Sequence, residues 1–306
     1  MDDSLDKTLE SWNPITVVVL AVSGAVGSVL ILLVHAHDTA ISSEFVSSPG
    51  FPGWAAVIAA QSAVWAVVTV PLWREVVSSY RGAHPALSIW VVPGLIVAAL
   101  ATLAVLSSSR TLEWPLVGHH VKVWILTTAA AIGVGVPALF GICLVQDRVR
   151  RHQPDALKTT DIGLALTARA QMRRFLGVAG AVIGLAVLAS GALRRATVPA
   201  FLDEESFPAD GVILYGAFFT GLLLLVYVPA HLSLRRLCVD IREHYFPVSG
   251  MPPPTSAEFG SWVEGRARLD SLTQVNVTMT QQLTASLFIL APLISGVLGA
   301  LVPRLP

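Results

Sequence analysis

The chain has 306 residues, of which 54% are hydrophobic and 13% charged, and its formal net charge is zero. Soluble domains carry about a quarter charged residues, so this composition, with a mean hydropathy of +0.68, excludes an ordinary soluble core and indicates a membrane protein. The neutral balance argues against a nucleic-acid partner and leaves the lipid bilayer as the partner the segments must meet.

The chain opens on an acidic stretch, MDDSLDKTLE, where a secretory signal would carry a positive n-region. The apolar run that follows, from Pro14 to Val34, is of full-span length, so residues 1–13 are expected to be a cytoplasmic N-terminus before a retained transmembrane helix. Seven segments are long enough to cross: 14–36, 54–73, 86–108, 121–146, 175–193, 211–234 and 283–303, each without Asp, Glu, Lys or Arg in its middle. The expected fold is therefore all-α and polytopic. Four helices occupy 14–146, a basic cytoplasmic segment 147–174, two helices 175–234, a cytoplasmic amphipathic stalk 235–282, and the seventh helix with an outer C-terminus 283–306.

Orientation follows from the connections. With the N-terminus in the cytoplasm, the inner connections hold 15 Lys and Arg and the outer ones 5, the sense of the positive-inside rule. The outer connection before the sixth segment adds the acidic cluster Asp203, Glu204, Glu205 and Asp210. Arg outnumbers Lys 17 to 3, which reads as high-GC bacterial coding and places the protein in a bacterial plasma membrane. Cys143 and Cys238 both fall at the inner boundary, where a reducing compartment leaves no disulfide to expect.

Three stretches pass a Val-Pro pair, leave the membrane in a basic run and turn at a proline: Val70-Pro71, Val136-Pro137 and Val228-Pro229. LVQDRVRRHQP at 144–154 and LCVDIREHYFP at 237–247 share Leu, Asp and Pro in register. This suggests repeated helical hairpins, although prolines recur near helix ends for their own reasons. Small residues sit at packing spacing in Gly180/Gly184, Ser23/Gly27 and Ser295/Gly299, which predicts a tight bundle and leaves room for a homo-oligomer or a membrane partner.

Three groups of side chains are candidates for chemistry. His35, His37, His119 and His120 fall at outer helix ends, with Asp38 and Glu113 nearby, and such a set suits a metal or haem. Their spacing is not that of a metal motif, and interfacial histidines that bind nothing give the same pattern. His231 lies near the inner end of the sixth segment, where an ionisable group is a functional candidate or a hydrated, hydrogen-bonded one. Asn276, Gln281 and Gln282 crowd the polar start of the last segment, as interhelical glue or the wall of a wet vestibule.

In the stalk, PVSGMPPP at 247–254 cannot be helical, and Thr255 or Ser256 then caps a new helix. Phe259, Trp262, Leu269 and Leu272 recur at near-heptad spacing along it and predict an apolar stripe, for burial on Ile162 and Leu166 or for a partner. No phosphate loop, dinucleotide fingerprint or nucleophile elbow occurs, so no enzyme is indicated. The expected function is a channel-like or signalling membrane module without a cofactor. A metal- or haem-binding protein and a small-solute transporter are the alternatives.

Overall fold

The computed structural model describes residues 13–81, 114–152, 159–198, 200–273 and 279–301, and all regular structure among them is helical. Helix α1 is Pro14–Leu33, α2 Ala40–Ser47, α3 Gly50–Arg81, α4 His119–Ala130, α5 Val136–Arg151, α6 Thr159–Thr197, α7 Ala209–Tyr245, α8 Ala257–Thr273 and α9 Met279–Leu301. A π-helical turn, Ala131–Gly135, joins α4 to α5, and a 3-10 turn, Val248–Gly250, follows α7. Among the described residues five helical stretches are long and apolar enough to cross a membrane: Pro14–Leu33, Gly50–Tyr80, His119–Arg151, Asp161–Thr197 and Ala209–Gly250. The segment expected at 86–108 lies outside the described residues. The one expected at 283–303 falls on α9, whose apolar stretch Leu287–Gly299 is shorter than those five.

The Val-Pro pairs do not end helices. Pro71 and Pro229 lie inside α3 and α7, which continue to Arg81 and Tyr245. A proline deletes one backbone donor, but helix packed on both sides of it continues. At Pro137 the chain adjusts through the π turn just ahead of it, where a regular turn would press the ring against the carbonyl of Gly133. Gly133 also lets α3 come close: a Cβ there would stand 3.2 Å from Thr69 Oγ1.

Helix α5 is the centre, packed against α3, α6 and α7 and buried nearly all round from Pro137 to Val145. A Cβ at Gly141 would stand 2.5 Å from the ring of Phe175, itself wholly buried. Helix α9 wedges between α6 and α7 through close backbone contact. A Cβ at Gly216 would meet Pro292 O at 2.5 Å, and one at Gly191 would meet Gly299 Cα at 2.7 Å. Gly180 lies against the Phe288 backbone and Gly184 against Ser295. Helix α1 is peripheral: 11% of its apolar window is buried, against 56% for the stretches containing α5 and α6. It packs on α3 through Gly24, not Gly27, for a Cβ at Gly24 would stand 2.5 Å from Ser62 O while one at Gly27 would meet open space. Cys143 and Cys238 are both free and buried.

Helices α6 and α7, of 39 and 37 residues, are each about 55–58 Å long at 1.5 Å per residue, against a hydrocarbon core of about 30 Å. Their surplus lies toward the end where α3 and α5 also finish. That end is rich in arginine and carries α8.

Candidate functional site

The basic end is a layer of polar side chains set into helices, not a set of loops. Glu75 occupies the buried phase of α3, with Leu72, Val76 and Ser79, and is 2% exposed. Its Oε2 accepts from Arg174 Nη1 of α6 at 3.1 Å. Gln171, one turn earlier on α6, sets its amide against the same carboxyl and donates from Nε2 to Ser79 Oγ at 3.5 Å. From α5, Arg148 Nη2 donates to Ser79 O at 3.4 Å, and Asp147 pairs with Arg151 at 2.9 Å. His152, closing α5, faces Asp161 in the first turn of α6 at 3.0 Å. A carboxylate is favoured at that helix N-terminus.

The same layer seats α8. Arg266 Nη2 pairs with Glu243 Oε1 at 2.6 Å, and its Nη1 donates to Phe246 O. Arg242 pairs with Glu243 at 2.9 Å and with Asp270 at 3.5 Å. Arg169 of α6 donates to Thr273 O at the end of α8. The ring of Trp262 lies under the Arg266 guanidinium, 5.3 Å from its centroid, and edge-on to Phe246. Only Leu269 and Thr273 of α8 are buried. Phe259 and Trp262 are half-buried, whereas Leu272 is 58% exposed and Leu166 on α6 is 40% exposed, so those two leucines are not buried together. Ion pairs and a ring contact with Phe246 hold the helix where an apolar stripe was expected. Glu243 lies beyond the apolar stretch that closes at Leu234, and the Arg266 hydrogen bond holds its carboxyl below the ordinary carboxylate value.

The opposite end gathers the histidines without making a ligand set. His35 takes a left-handed backbone after α1 and pairs with Asp38 at 2.8 Å. His37 reaches Ser43 Oγ at 3.2 Å. His119 is buried, stacked 4.1 Å from Trp114 and 6.0 Å from Trp54, while His120 is exposed. Among the described residues no three His, Cys, Asp or Glu side chains form a group that could hold a metal ion. His231 stacks on Tyr227 of its own helix, the phenol oxygen 3.3 Å from Nδ1. Asn276 lies outside the described residues, and Gln281 and Gln282 are placed only as residues of α9.

Lys122, 6% exposed, is the residue that ties this end together. Its Nζ donates to Leu32 O at 2.9 Å and to Val34 O at 2.5 Å, answering carbonyls that the end of α1 leaves open. The charge count took Lys122 and Arg174 only as connection charges, and Glu75 drew no reading. The signal that finds them is phase: Lys122 shares the buried spacing of His119, Leu126 and Ala130, and Glu75 that of Leu72 and Val76.

No family model, no curated protein and no solved structure matches this chain. The fold defines the class by itself: an all-helical protein with several helices long and apolar enough to cross a membrane.

Proposed function

We propose that the chain is a non-enzymatic, multi-pass protein of a bacterial plasma membrane, a signalling or channel-like module in which helix packing in the bilayer is coupled to a cytoplasmic stalk. The observation that carries this reading is continuity. Helices α6 and α7 run unbroken from the packed apolar region into the basic end, where Arg169, Arg242 and Glu243 grip α8. A tilt of either helix against α9 is delivered to the stalk through a stiff rod. Seven spans, with the N-terminus inside and the C-terminus outside, fit the described ends. Ser79 near the close of α3 belongs to the basic end, and Trp114 stands at the other, on His119. The seven-span reading takes 86–108, outside the described residues, as the crossing between them.

The test uses the purified full-length protein. Gly216→Leu forces α7 away from Pro292 O, roughly 40 Å along α7 from Arg242 at 1.5 Å per residue. Amide hydrogen exchange over Ala257–Thr273 is expected to speed up severalfold in the variant. Unchanged exchange there, in a variant that remains folded and monodisperse, overturns the coupling.

A further inference from the structure

Glu75 carries a buried charge faced by the Arg174 guanidinium and the Gln171 amide. Its Oε2 has Arg174; its Oε1 is buried with no donor, and so is Oε1 of Gln171 beside it. The charged groups that α5 and α6 bring to this level are otherwise engaged: Arg148 with Ser79 O, Asp147 with Arg151, and Arg174 with Glu75 itself. On α3, the neighbouring Arg74 is exposed. A buried carboxylate oxygen without a donor is costly, and a proton on it removes both the orphaned lone pair and the buried charge. The Arg174 side chain is 34% exposed where Glu75 is 2% exposed, so the pair borders solvent through the guanidinium. The guanidinium can leave the pair for water without becoming a buried charge.

We propose that Glu75 is a proton-binding site that sets the contact between α3 and α6. A proton from solution at the basic end adds to Oε1, an O–H bond forms, the carboxyl becomes neutral, and Arg174, still charged, is released toward solvent. Two arrangements of the polar layer follow, one ion-paired and one not. The effect on the stalk rests on the function proposed above; the proton uptake does not.

Infrared difference spectra of the full-length protein, taken between about pH 8 and about pH 4 in H2O and D2O, test the site over the range in which carboxyls titrate. A carboxylic-acid carbonyl band that appears on acidification, shifts in D2O and is missing from Glu75→Gln is expected. Arg174→Gln, which keeps the carboxyl, is expected to move the band's midpoint up by about one pH unit or more, since an opposite charge has been removed. No titrating band in the wild type, as when water alone answers Oε1, overturns the site; so does a band retained in Glu75→Gln. Spin labels at Val77 on α3 and Gly163 on α6 read the contact: their separation is expected to change with the band in the wild type and to stay fixed in Glu75→Gln. A separation that ignores the band overturns the control of the α3–α6 contact. A stalk whose exchange ignores a moving separation overturns the coupling reading and leaves the proton site standing.

Discussion

Two single residues decide how the helices meet. Lys122 Nζ holds the carbonyls of Leu32 and Val34, so Lys122→Met keeps the aliphatic stem and removes both donors. Hydrogen bonds involving a charged group contribute about 1.5–3 kcal/mol, and a loss of that size is expected in detergent unfolding, together with faster proteolysis around α1. Unchanged stability would mean that the α1 end is held by its packing on α3. Gly141 decides the other contact. Its missing Cβ is the space the Phe175 ring fills, so Gly141→Ala overpacks the centre at a cost of about 1–3 kcal/mol. Adding Phe175→Leu should return part of it, because a smaller side chain then faces the new methyl; if it does not, the cost lies in the α5 backbone instead. At this scale the sequence was legible where a residue's chemistry agreed with its surroundings. It went unread where a charged residue stands in the phase of a buried face, as Lys122 and Glu75 do.

At the scale of elements, α8 shows what periodicity could and could not give. The proline run before it and the polar residues that start it marked a new helix, and a helix is there. Its seat was not legible, because Arg242, Glu243 and Arg266 attract at specific distances that spacing does not encode, while Leu272 follows the apolar spacing and faces outward. The basic runs after the Val-Pro pairs are continuous helix, carried by α3, α5 and α7. The Glu243 pair gives α8 a pH dependence of known sign. A carboxyl held below its ordinary value of 4.5 contributes stability that is complete above that value and is lost as pH falls below it, through the lowered one. Fluorescence assigned to Trp262 by comparison with Trp262→Phe should therefore be flat at neutral pH and change below about pH 4.5. Glu243→Gln should already show the altered signal at neutral pH. A wild-type change complete well above that pH would assign the seat of α8 to another group.

For the whole molecule, the strongest legible property was the division of the chain between two ends. The connections that the charge count grouped together also meet in the structure: Glu75 with Arg174, Arg148 with Ser79, and Arg169 with Thr273 at one end, and Phe45 with Phe201 and Trp114 with Phe207 at the other. The charge rule then says which end faces the cytoplasm. On the orientation proposed above, the excess of fifteen Lys and Arg over five would put the basic end inside. Ser206, in the acidic connection between α6 and α7, and Pro252, in the non-helical stretch before α8, are the positions to probe. Both native thiols, Cys143 and Cys238, are buried, so a cysteine introduced at either position is read against a low background in intact cells. Ser206→Cys is expected to react with an impermeant thiol reagent added outside, and Pro252→Cys to react only after the membrane is opened. The reverse pattern would turn the polar layer outward. Glu75 would then exchange its proton with the external medium, and α8 would meet partners outside the cell, so this one measurement also fixes which compartment the basic end senses.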